Sequence, residues 1–174
     1  MNKDGLPDLV VTNFSAQDVS VLLGTGGGHF ASPVSYNLAT GPAGVALVDV
    51  SSDGNLDVIV QGGLTNTVSV LLGSASGNGT LGAPQNIATA AAPNSLVVTD
   101  MTGDGKPDIV LSNLTGNSVS IFPGVGNGTF GARTDFATPT GPRQVAVGDL
   151  NGDGLPDMVV AIGGSAVMSV FLGT

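Results

Sequence analysis

An internal repeat of about fifty residues is the feature that most constrains the fold of this chain. Asp-Gly pairs begin at Asp4, Asp53, Asp104 and Asp153, at offsets of 49, 51 and 49 residues. After each pair come, in fixed order, an apolar run, a VSVLLG-like segment and, in the first three copies, a Gly-rich turn. Periodicity of this length indicates an array of supersecondary units that bury their apolar faces against one another.

Each repeat predicts short antiparallel strands and no helix. In the last copy, Gln144–Asp149, Asp157–Ile162 and Val167–Leu172 have the composition of strands, and the middle one, almost entirely apolar, predicts a strand buried on both faces. The third copy adds a turn at Gly126–Thr129 and a fourth strand at Thr134–Ala137. No stretch shows helical periodicity.

Four strands per repeat predict an all-β fold, a β-propeller of four-stranded antiparallel blades with about three and a half repeats. A parallel β-helix is the alternative, but the Asn-Gly and Gly-Gly turns favour antiparallel hairpins. We expect a blade lacking its first strand at 1–42, full blades at 43–93 and 94–142, and a blade lacking its last strand at 143–174. Such open sheet edges predict part of a longer propeller or a homo-oligomer that completes it.

Composition excludes several classes of function. The acidic residues are 13 Asp and no Glu, against four Lys and Arg, for a net charge of −9. We therefore expect no nucleic-acid binding, and no apolar run is long enough for membrane insertion. The absence of Cys excludes a disulfide framework and a thiol nucleophile.

The Asp residues concentrate in a loop that predicts a calcium site. In the best copy, Asp149 to Asp157, oxygen-bearing side chains occupy positions 1, 3, 5 and 9, and position 7 can offer its backbone carbonyl. Gly154 at position 6 allows a sharp turn. Hard oxygen ligands in this number suit Ca²⁺ better than Mg²⁺, which requires tighter octahedral geometry. The loop is not an EF-hand, because position 12 is Val160 and the flanks are strands.

The four copies supply the predicted ligands and differ in expected strength. Eleven of the 13 Asp lie at positions 1, 5 or 9. Hydroxyls at position 3 are weaker ligands than an amide, so the Asp149 loop ranks above the Asp100 and Asp49 loops, and the Asn2 loop lacks an Asp at position 1. The predicted metal ligands are Asp149, Asn151, Asp153, Leu155 and Asp157; Asp100, Thr102, Asp104, Lys106 and Asp108; Asp49, Ser51, Asp53, Asn55 and Asp57; and Asn2, Asp4, Leu6 and Asp8.

The alternative interpretation is that the Asp-Gly pairs only form turns, as they often do. A turn alone does not account for the additional Asp at position 9 in every copy. Clustered carboxylates without a cation would also repel one another. Calcium binding is therefore the favoured interpretation, and three occupied loops would change the net charge from −9 to −3, since each Ca²⁺ adds two charges.

The loop sequence D-x-N-x-D-G-x-x-D, the VSVLLG segments and the Phe130–Arg133 segment resemble the FG-GAP repeat family, also called VCBS repeats, which forms the integrin α-subunit propeller. The resemblance covers essentially the whole chain. It implies calcium binding in the loop between the first two strands of each blade, at the residues named above. It also implies a secreted or cell-surface module for adhesion or ligand binding, without identifying an extracellular protein or glycan ligand.

Three functions remain open at this stage, and none makes the chain itself an enzyme. The first is a calcium-stabilised adhesion or interaction module, the second a lectin with shallow pockets between blades, and the third a non-catalytic propeller attached to a secreted hydrolase. His29 is the only His and has no nucleophile at a matching place. Tyr36, Phe14 and Phe136 could stack on sugars, although most Phe are better explained as packing between blades.

Overall fold

The computed structural model describes residues 1–38 and 40–174, and in these ranges it contains sixteen β-strands and no helix. None of the described segments is therefore a helix of the length and apolarity needed to cross a membrane. The strands are β1 Leu9–Asn13, β2 Asp18–Leu22, β3 Gly24–Gly26, β4 His29–Phe30, β5 Val34–Asn37, β6 Pro42–Val48, β7 Asp57–Gly62, β8 Thr67–Leu71, β9 Gln85–Ala88, β10 Pro93–Thr99, β11 Asp108–Asn113, β12 Ser118–Phe122, β13 Thr134–Ala137, β14 Pro142–Gly148, β15 Asp157–Ile162 and β16 Met168–Phe171.

The strands form antiparallel sheets in chain order. The four larger sheets are β1-β2-β5, β6-β7-β8-β9, β10-β11-β12-β13 and β14-β15-β16, and β3 and β4 make a separate hairpin. In each blade every strand pairs with the next blade strand along the chain, and the β3–β4 hairpin is inserted between β2 and β5; this order favours antiparallel pairing. The predicted fold class is confirmed: the chain is all-β, with blades of the β-propeller type, two of them four-stranded.

The chain divides into two compact units, Met1–Ala88 and Thr89–Thr174, and each contains two of these blades. The first strands of the last three blades begin at Pro42, Pro93 and Pro142. Proline is tolerated as the first residue of a strand because its missing N–H is not needed in the ladder there. The register shifts just after each of these prolines, so the first strand of each blade starts with an irregularity.

Each unit has a core in which one blade packs on the next. In the first unit, Val19 and Val21 of β2 contact Val58 and Val60 of β7 in one fully buried cluster. In the second unit, Val110 of β11 belongs to the corresponding cluster of β10–β16 residues. Burial of apolar surface on this scale is the main stabilising term of such sheets.

The second strand of a blade is buried on both faces in two blades but not in the last one. Every residue of β7 and β11 is buried. In β15, the prediction of burial on both faces is wrong, because Ala161 is exposed and Val159 only half-buried. Within the second unit, the opposite face of β15 packs against β10–β13 through Met158 and Val160. No other strand of that unit covers the face that carries Ala161, which explains its exposure.

Candidate cation-binding loops

Three of the predicted loops connect the first strand of a blade to the second, and the Asn2 loop leads directly into β1. The Asp149 loop follows β14, which ends at Gly148, and it ends where β15 begins at Asp157. The glycine at position 6 has a positive φ in all four copies, as the sharp turn requires. These φ values are 83° at Gly5, 80° at Gly54, 81° at Gly105 and 83° at Gly154.

The Asp at position 9 is buried and binds the backbone. In the third copy, Asp108 is fully buried. Its Oδ2 accepts hydrogen bonds from the N–H groups of Met101 (2.8 Å) and Thr102 (3.0 Å), and its Oδ1 accepts one from Gly124 (2.6 Å). One carboxylate therefore connects the loop, the start of the second strand and the glycine two residues after the third strand. Buried N–H groups need such acceptors, since leaving one unpaired is costly.

The same arrangement recurs in the other copies. Asp57 accepts from Val50, Ser51 and Gly73, and Asp157 accepts from Leu150 and Gly173. In the first copy Asp8 accepts from Asn2 and Gly24. Each Asp is separated from its partner glycine by 16 residues. Position 9 thus has a structural role that requires no cation.

Sequence reasoning missed this role, although a signal for it was present. The partner glycine closes every VSVLLG-like segment at a constant spacing from the Asp. A side chain there would collide with the chain just before the Asp: an added Cβ would lie 2.2 Å from the Pro7 carbonyl oxygen at Gly24 and 2.2 Å from that of Pro107 at Gly124. An invariably spaced Asp and Gly pair is therefore explained by one hydrogen bond and one close backbone approach.

The Asp at position 1 lies at the opposite end of the loop and is wrapped by N–H groups of the turn. Asp149 Oδ1 accepts from Gly152 (2.7 Å) and its Oδ2 from Gly154 (2.9 Å). Asp100 does the same with Gly103 and Gly105. The bonds from Gly154 and then Gly152 stabilise the ionised form, which lowers the pKa of Asp149.

Position 5 is exposed to solvent in every copy, and in the Asp149 and Asn2 loops positions 3 and 5 contact each other. The Asn151 amide donates to Asp153 Oδ2 at 2.8 Å, and Asn2 donates to Asp4 Oδ2 at the same distance. In the Asp49 loop, Ser51 contacts position 1 instead, donating to Asp49 at 3.3 Å. Oxygen atoms of positions 1, 3 and 5 therefore remain within reach of solvent ions.

Position 7 supplies an N–H group to position 5. The N–H groups of Leu155, Asn55 and Lys106 donate to Asp153, Asp53 and Asp104, at 2.8, 2.8 and 3.0 Å, and Leu6 donates to Asp4 at 2.8 Å. These backbone N–H bonds stabilise the ionised carboxylates, and they are the largest cause of the lowered pKa values of Asp53 and Asp104.

The third loop also contains its own cation. The Lys106 ammonium lies 3.1 Å from Asp104 Oδ2. This ion pair is exposed and therefore weak. It nevertheless places a positive charge where a metal ion would compete for the same carboxylate, which distinguishes the Asp100 loop from the Asp149 loop.

The donor chemistry of the loops suits a hard cation, but the carboxylates are engaged with the backbone. Among residues 1–38 and 40–174, no three acidic or His side chains converge closely enough as they stand to hold a metal ion. The position 9 carboxylate has four lone-pair directions, and up to three of them accept N–H groups. A cation would thus rely first on the exposed oxygens of positions 1, 3 and 5.

The other candidate side chains lie outside these loops. His29 is exposed in the β3–β4 hairpin. Tyr36 is half-buried, and its hydroxyl accepts a hydrogen bond from the Leu81 N–H at 2.9 Å. Phe136 packs edge-to-face on Phe171, with ring centroids 5.9 Å apart. Phe14 is 48% exposed. Of the three aromatic residues considered for stacking on sugars, two therefore have packing roles.

Sheets of this topology with a repeated Asp-rich loop define a class, the repeat proteins built from β-propeller blades. Within it, a model of the FG-GAP-like repeat matches residues 1–60, 49–111 and 100–160. The chain belongs to the FG-GAP-like repeat family. A comparison with curated protein sequences finds no match.

Solved structures support the fold. The chain is similar to BBS1N, solved in complex with ARL6DN, with a TM-score of 0.61 and 14% identity over 91% of this chain and 43% of that one. It is also similar to a lectin of Agrocybe aegerita described as recognising non-reducing terminal N-acetylglucosamine, with a TM-score of 0.62 and 22% identity over 98% of this chain and 50% of the lectin. The chain thus spans about half the length of these structures or less, and at such identities the similarity shows the fold alone.

Proposed function

We propose that this chain is a non-catalytic interaction module whose Asp loops bind Ca²⁺ and are stabilised by it. The observation that supports the proposal is the repeated set of oxygen-bearing side chains on loops that turn at a glycine with positive φ: position 5 is exposed in all four copies, and positions 1 and 3 are exposed as well in the Asp149 loop. The family and its propeller-type blades favour binding over catalysis, because each loop repeats while an active site is normally unique.

The residues that would hold the ion belong to each loop in turn. The side chains at positions 1, 3 and 5 and the carbonyl oxygen of position 7 would coordinate it, and position 9 would continue to hold the backbone. Oxygen ligands of this kind suit Ca²⁺, and water completes its shell. The bound ion would neutralise the carboxylates and stiffen the connection between the first two strands.

Calcium affinity also suggests a location. Extracellular modules bind Ca²⁺ with Kd values of roughly 10⁻⁴ to 10⁻³ M. A loop with three carboxylates or fewer near solvent belongs in that range, so we place the protein at the cell surface or in the extracellular medium. Its partners would then be extracellular proteins or glycans.

A calcium titration tests the proposal directly. After treatment with EDTA, we expect Ca²⁺ at millimolar concentration to raise the Tm by several degrees and to give a measurable heat of binding, with Mg²⁺ much less effective. The variant Asp149→Ala should lose part of the rise, whereas Asp135→Asn, which removes a charge outside the loops, should keep it. The absence of both a heat of binding and a Tm shift in the wild-type protein would refute calcium binding.

Glycan binding is the second candidate, and the similarity to the Agrocybe aegerita lectin is what favours it. A glycan array, run in calcium and again in EDTA, tests it. Binding of specific glycans would identify the ligand class, and a blank array alongside a positive calcium titration would leave a calcium-stabilised protein-interaction module.

A further inference from the structure

Of the arginines in the chain, Arg133 and Arg143, only the first has an acidic partner. Arg133 Nε lies 3.1 Å from Asp135 Oδ2. Arg143, the second residue of β14, is exposed, and within the described part of the chain its guanidinium forms no ion pair. A chain with 13 Asp thus leaves one strongly hydrogen-bonding cation free for a ligand.

The acidic loop of the same blade lies at the far end of β14 from this cation. Arg143 is near the start of the strand, and Asp149 follows its end at Gly148. Six residues of strand span about 20 Å. Electrostatic interactions between exposed charges are screened over about 8 Å at physiological ionic strength. The Asp149 loop therefore neither pairs with Arg143 nor neutralises its charge.

The Arg143 side chain lies along Gly163, in the turn between β15 and β16. A Cβ added at Gly163 would be 2.8 Å from Arg143 Cγ, 3.2 Å from Cδ and 2.6 Å from Nε. The aliphatic part of the arginine is thus packed against a backbone that has no side chain to hold it away. Because this contact fixes the direction of the side chain, the guanidinium loses less conformational freedom when it binds a ligand.

Hydrogen bonds from the neighbouring blade fix the backbone of the same residue. The Arg143 carbonyl oxygen accepts from Ser112 Oγ at 2.5 Å and from Asn94 Nδ2 at 2.9 Å. Ser112 is buried in β11, and Asn94 is exposed near the start of β10. Both blades of the second unit therefore position Arg143: β10 and β11 hold its backbone, and the β15–β16 turn holds its side chain.

Neutral amide groups lie beside the arginine. Gly163 N–H donates to the Gly141 carbonyl at 2.7 Å, and Gly141 N–H donates to Asn117 Oδ1 at 3.0 Å. Asn117 is exposed, as Asn94 is. Each asparagine uses one end of its amide in these bonds, so the oxygen of Asn94 and the nitrogen of Asn117 can bind a ligand.

The first unit has no cation at the corresponding place. The strand registers make Ala43 and Gly63 the counterparts of Arg143 and Gly163. There an added Cβ would lie 3.1 Å from Phe14 Cε2 and 3.3 Å from the Ala43 Cβ, so an aromatic ring covers the glycine. The arginine is therefore particular to the last repeat and is not needed to build a blade.

The polarity of the surroundings favours a carbohydrate over a protein surface. Protein interfaces have an apolar, aromatic-rich centre, and none of the exposed large apolar side chains of the second unit belongs to the segments 91–94, 113–117 and 138–144. A single cation matches a single carboxylate, whereas a polyanion such as a nucleic acid requires several cations. A sugar ring with hydroxyl groups and one carboxylate fits both observations.

We propose that Arg143, together with Asn94 and Asn117, binds the carboxylate-bearing sugar unit of an acidic glycan, of the uronic acid class. The guanidinium donates two parallel hydrogen bonds to the carboxylate, and the amides bind ring hydroxyls. This site rests on the proposed interaction function in its glycan-binding form, to which it gives a position and a ligand class, and it requires no Ca²⁺.

Two sugars that differ in one group test the site. Methyl β-D-glucuronide carries a carboxylate where methyl β-D-glucoside carries a hydroxymethyl group. In heteronuclear NMR spectra of the isotope-labelled full chain, the Nε–H signals of Arg133 and Arg143 are assigned by substituting each arginine with lysine. We expect the glucuronide to shift the Arg143 signal saturably, with a Kd of about 1 mM for a ligand of this size. The glucoside should leave it unchanged, and the Arg133 signal should respond to neither sugar.

Four variants locate the binding site, with affinity followed by the saturation-transfer signal of the sugar in EDTA and again in calcium. Arg143→Lys keeps the charge but loses the planar fork, and should weaken glucuronide binding by about tenfold. Arg133→Lys is its control and should bind normally. Gly163→Ala keeps the arginine but displaces it, and should weaken binding as well, whereas Gly148→Ala, whose Cβ meets nothing within 4 Å, should not. Circular dichroism verifies that all four fold.

The proposal would be overturned if the glucuronide failed to shift the Arg143 signal, or if Arg143→Lys and Gly163→Ala bound it normally. Equal affinity for acetate would mean a nonspecific anion site, and tighter binding of N-acetylglutamate amide would assign the guanidinium to a protein partner; either result rejects a glycan. Array binding that survives in Arg143→Lys would keep the glycan candidate and reject this site. A blank array without glucuronide binding would reject both.

Discussion

Asp104 and Asp108, two carboxylates of a single loop, have different roles. Asp108 is fully buried and accepts three backbone N–H groups, while the Asp104 side chain is 41% exposed and accepts from the backbone N–H and the ammonium of Lys106. Both belong to the same repeated pattern and look equivalent as metal ligands in the sequence. Their difference teaches that the pattern combines a structural acceptor at position 9 with solvent-facing ligands at positions 1, 3 and 5.

The largest effect should come from removing the buried acceptor. Asp108→Ala leaves the N–H groups of Met101, Thr102 and Gly124 without a partner, and each buried unpaired group costs about 1–3 kcal/mol. We therefore expect a loss of about 4 kcal/mol in the free energy of unfolding, measured by urea denaturation in EDTA and followed by circular dichroism.

The control for this variant is the exposed carboxylate of the same loop. Asp104→Ala should leave the urea midpoint almost unchanged in EDTA, because its partners can bond to water instead. If both variants lowered the midpoint equally, the distinction between the two positions would be wrong.

The second prediction concerns the glycine that donates to Asp108. A Cβ at Gly124 would lie 2.2 Å from the Pro107 carbonyl oxygen, a backbone atom that cannot move without disturbing β11. Gly124→Ala should lower the free energy of unfolding by about 1–3 kcal/mol, the range for an overpacked site. Gly148→Ala is the matched control, since an added Cβ there meets nothing within 4 Å. Equal stability of the two variants would contradict the close approach.

Much of the fold could be predicted from the sequence because the signals are local and repeated. The predicted strands Asp157–Ile162 and Thr134–Ala137 match β15 and β13 residue for residue, since turn residues mark where both strands begin and end. The exposure of Ala161 could not be predicted, because it depends on which blade faces β15. The roles at position 9 also depend on tertiary contact: Asp108 meets Gly124 only after β11 and β12 have paired.

The third prediction sharpens the comparison between loops. We expect Asp149→Ala to reduce the calcium-dependent rise in Tm more than Asp100→Ala does. Asn151 provides an amide oxygen at position 3 where the Asp100 loop has the weaker hydroxyl of Thr102, and Lys106 pairs with Asp104.

Differential scanning fluorimetry in EDTA and in millimolar Ca²⁺ measures both variants. The further variant Lys106→Gln removes the competing ammonium and should increase the calcium response that survives in Asp149→Ala. An equal loss in Asp149→Ala and Asp100→Ala would reject the ranking of the loops.

The smallest effect should be a dependence of stability on pH from the solvent-facing carboxylates. Backbone N–H bonds lower the pKa values of Asp53, Asp104 and Asp149 below the ordinary 3.8. A carboxyl whose folded pKa is depressed stabilises the fold above its unfolded pKa, and this contribution is lost as the pH falls through the folded value. In EDTA the urea midpoint should thus fall between pH 4 and pH 3. Asp149→Asn, which does not titrate, should make that fall slightly less steep. A slope identical in wild type and Asp149→Asn would show that the turn N–H groups bind the protonated carboxyl as well as the ionised one.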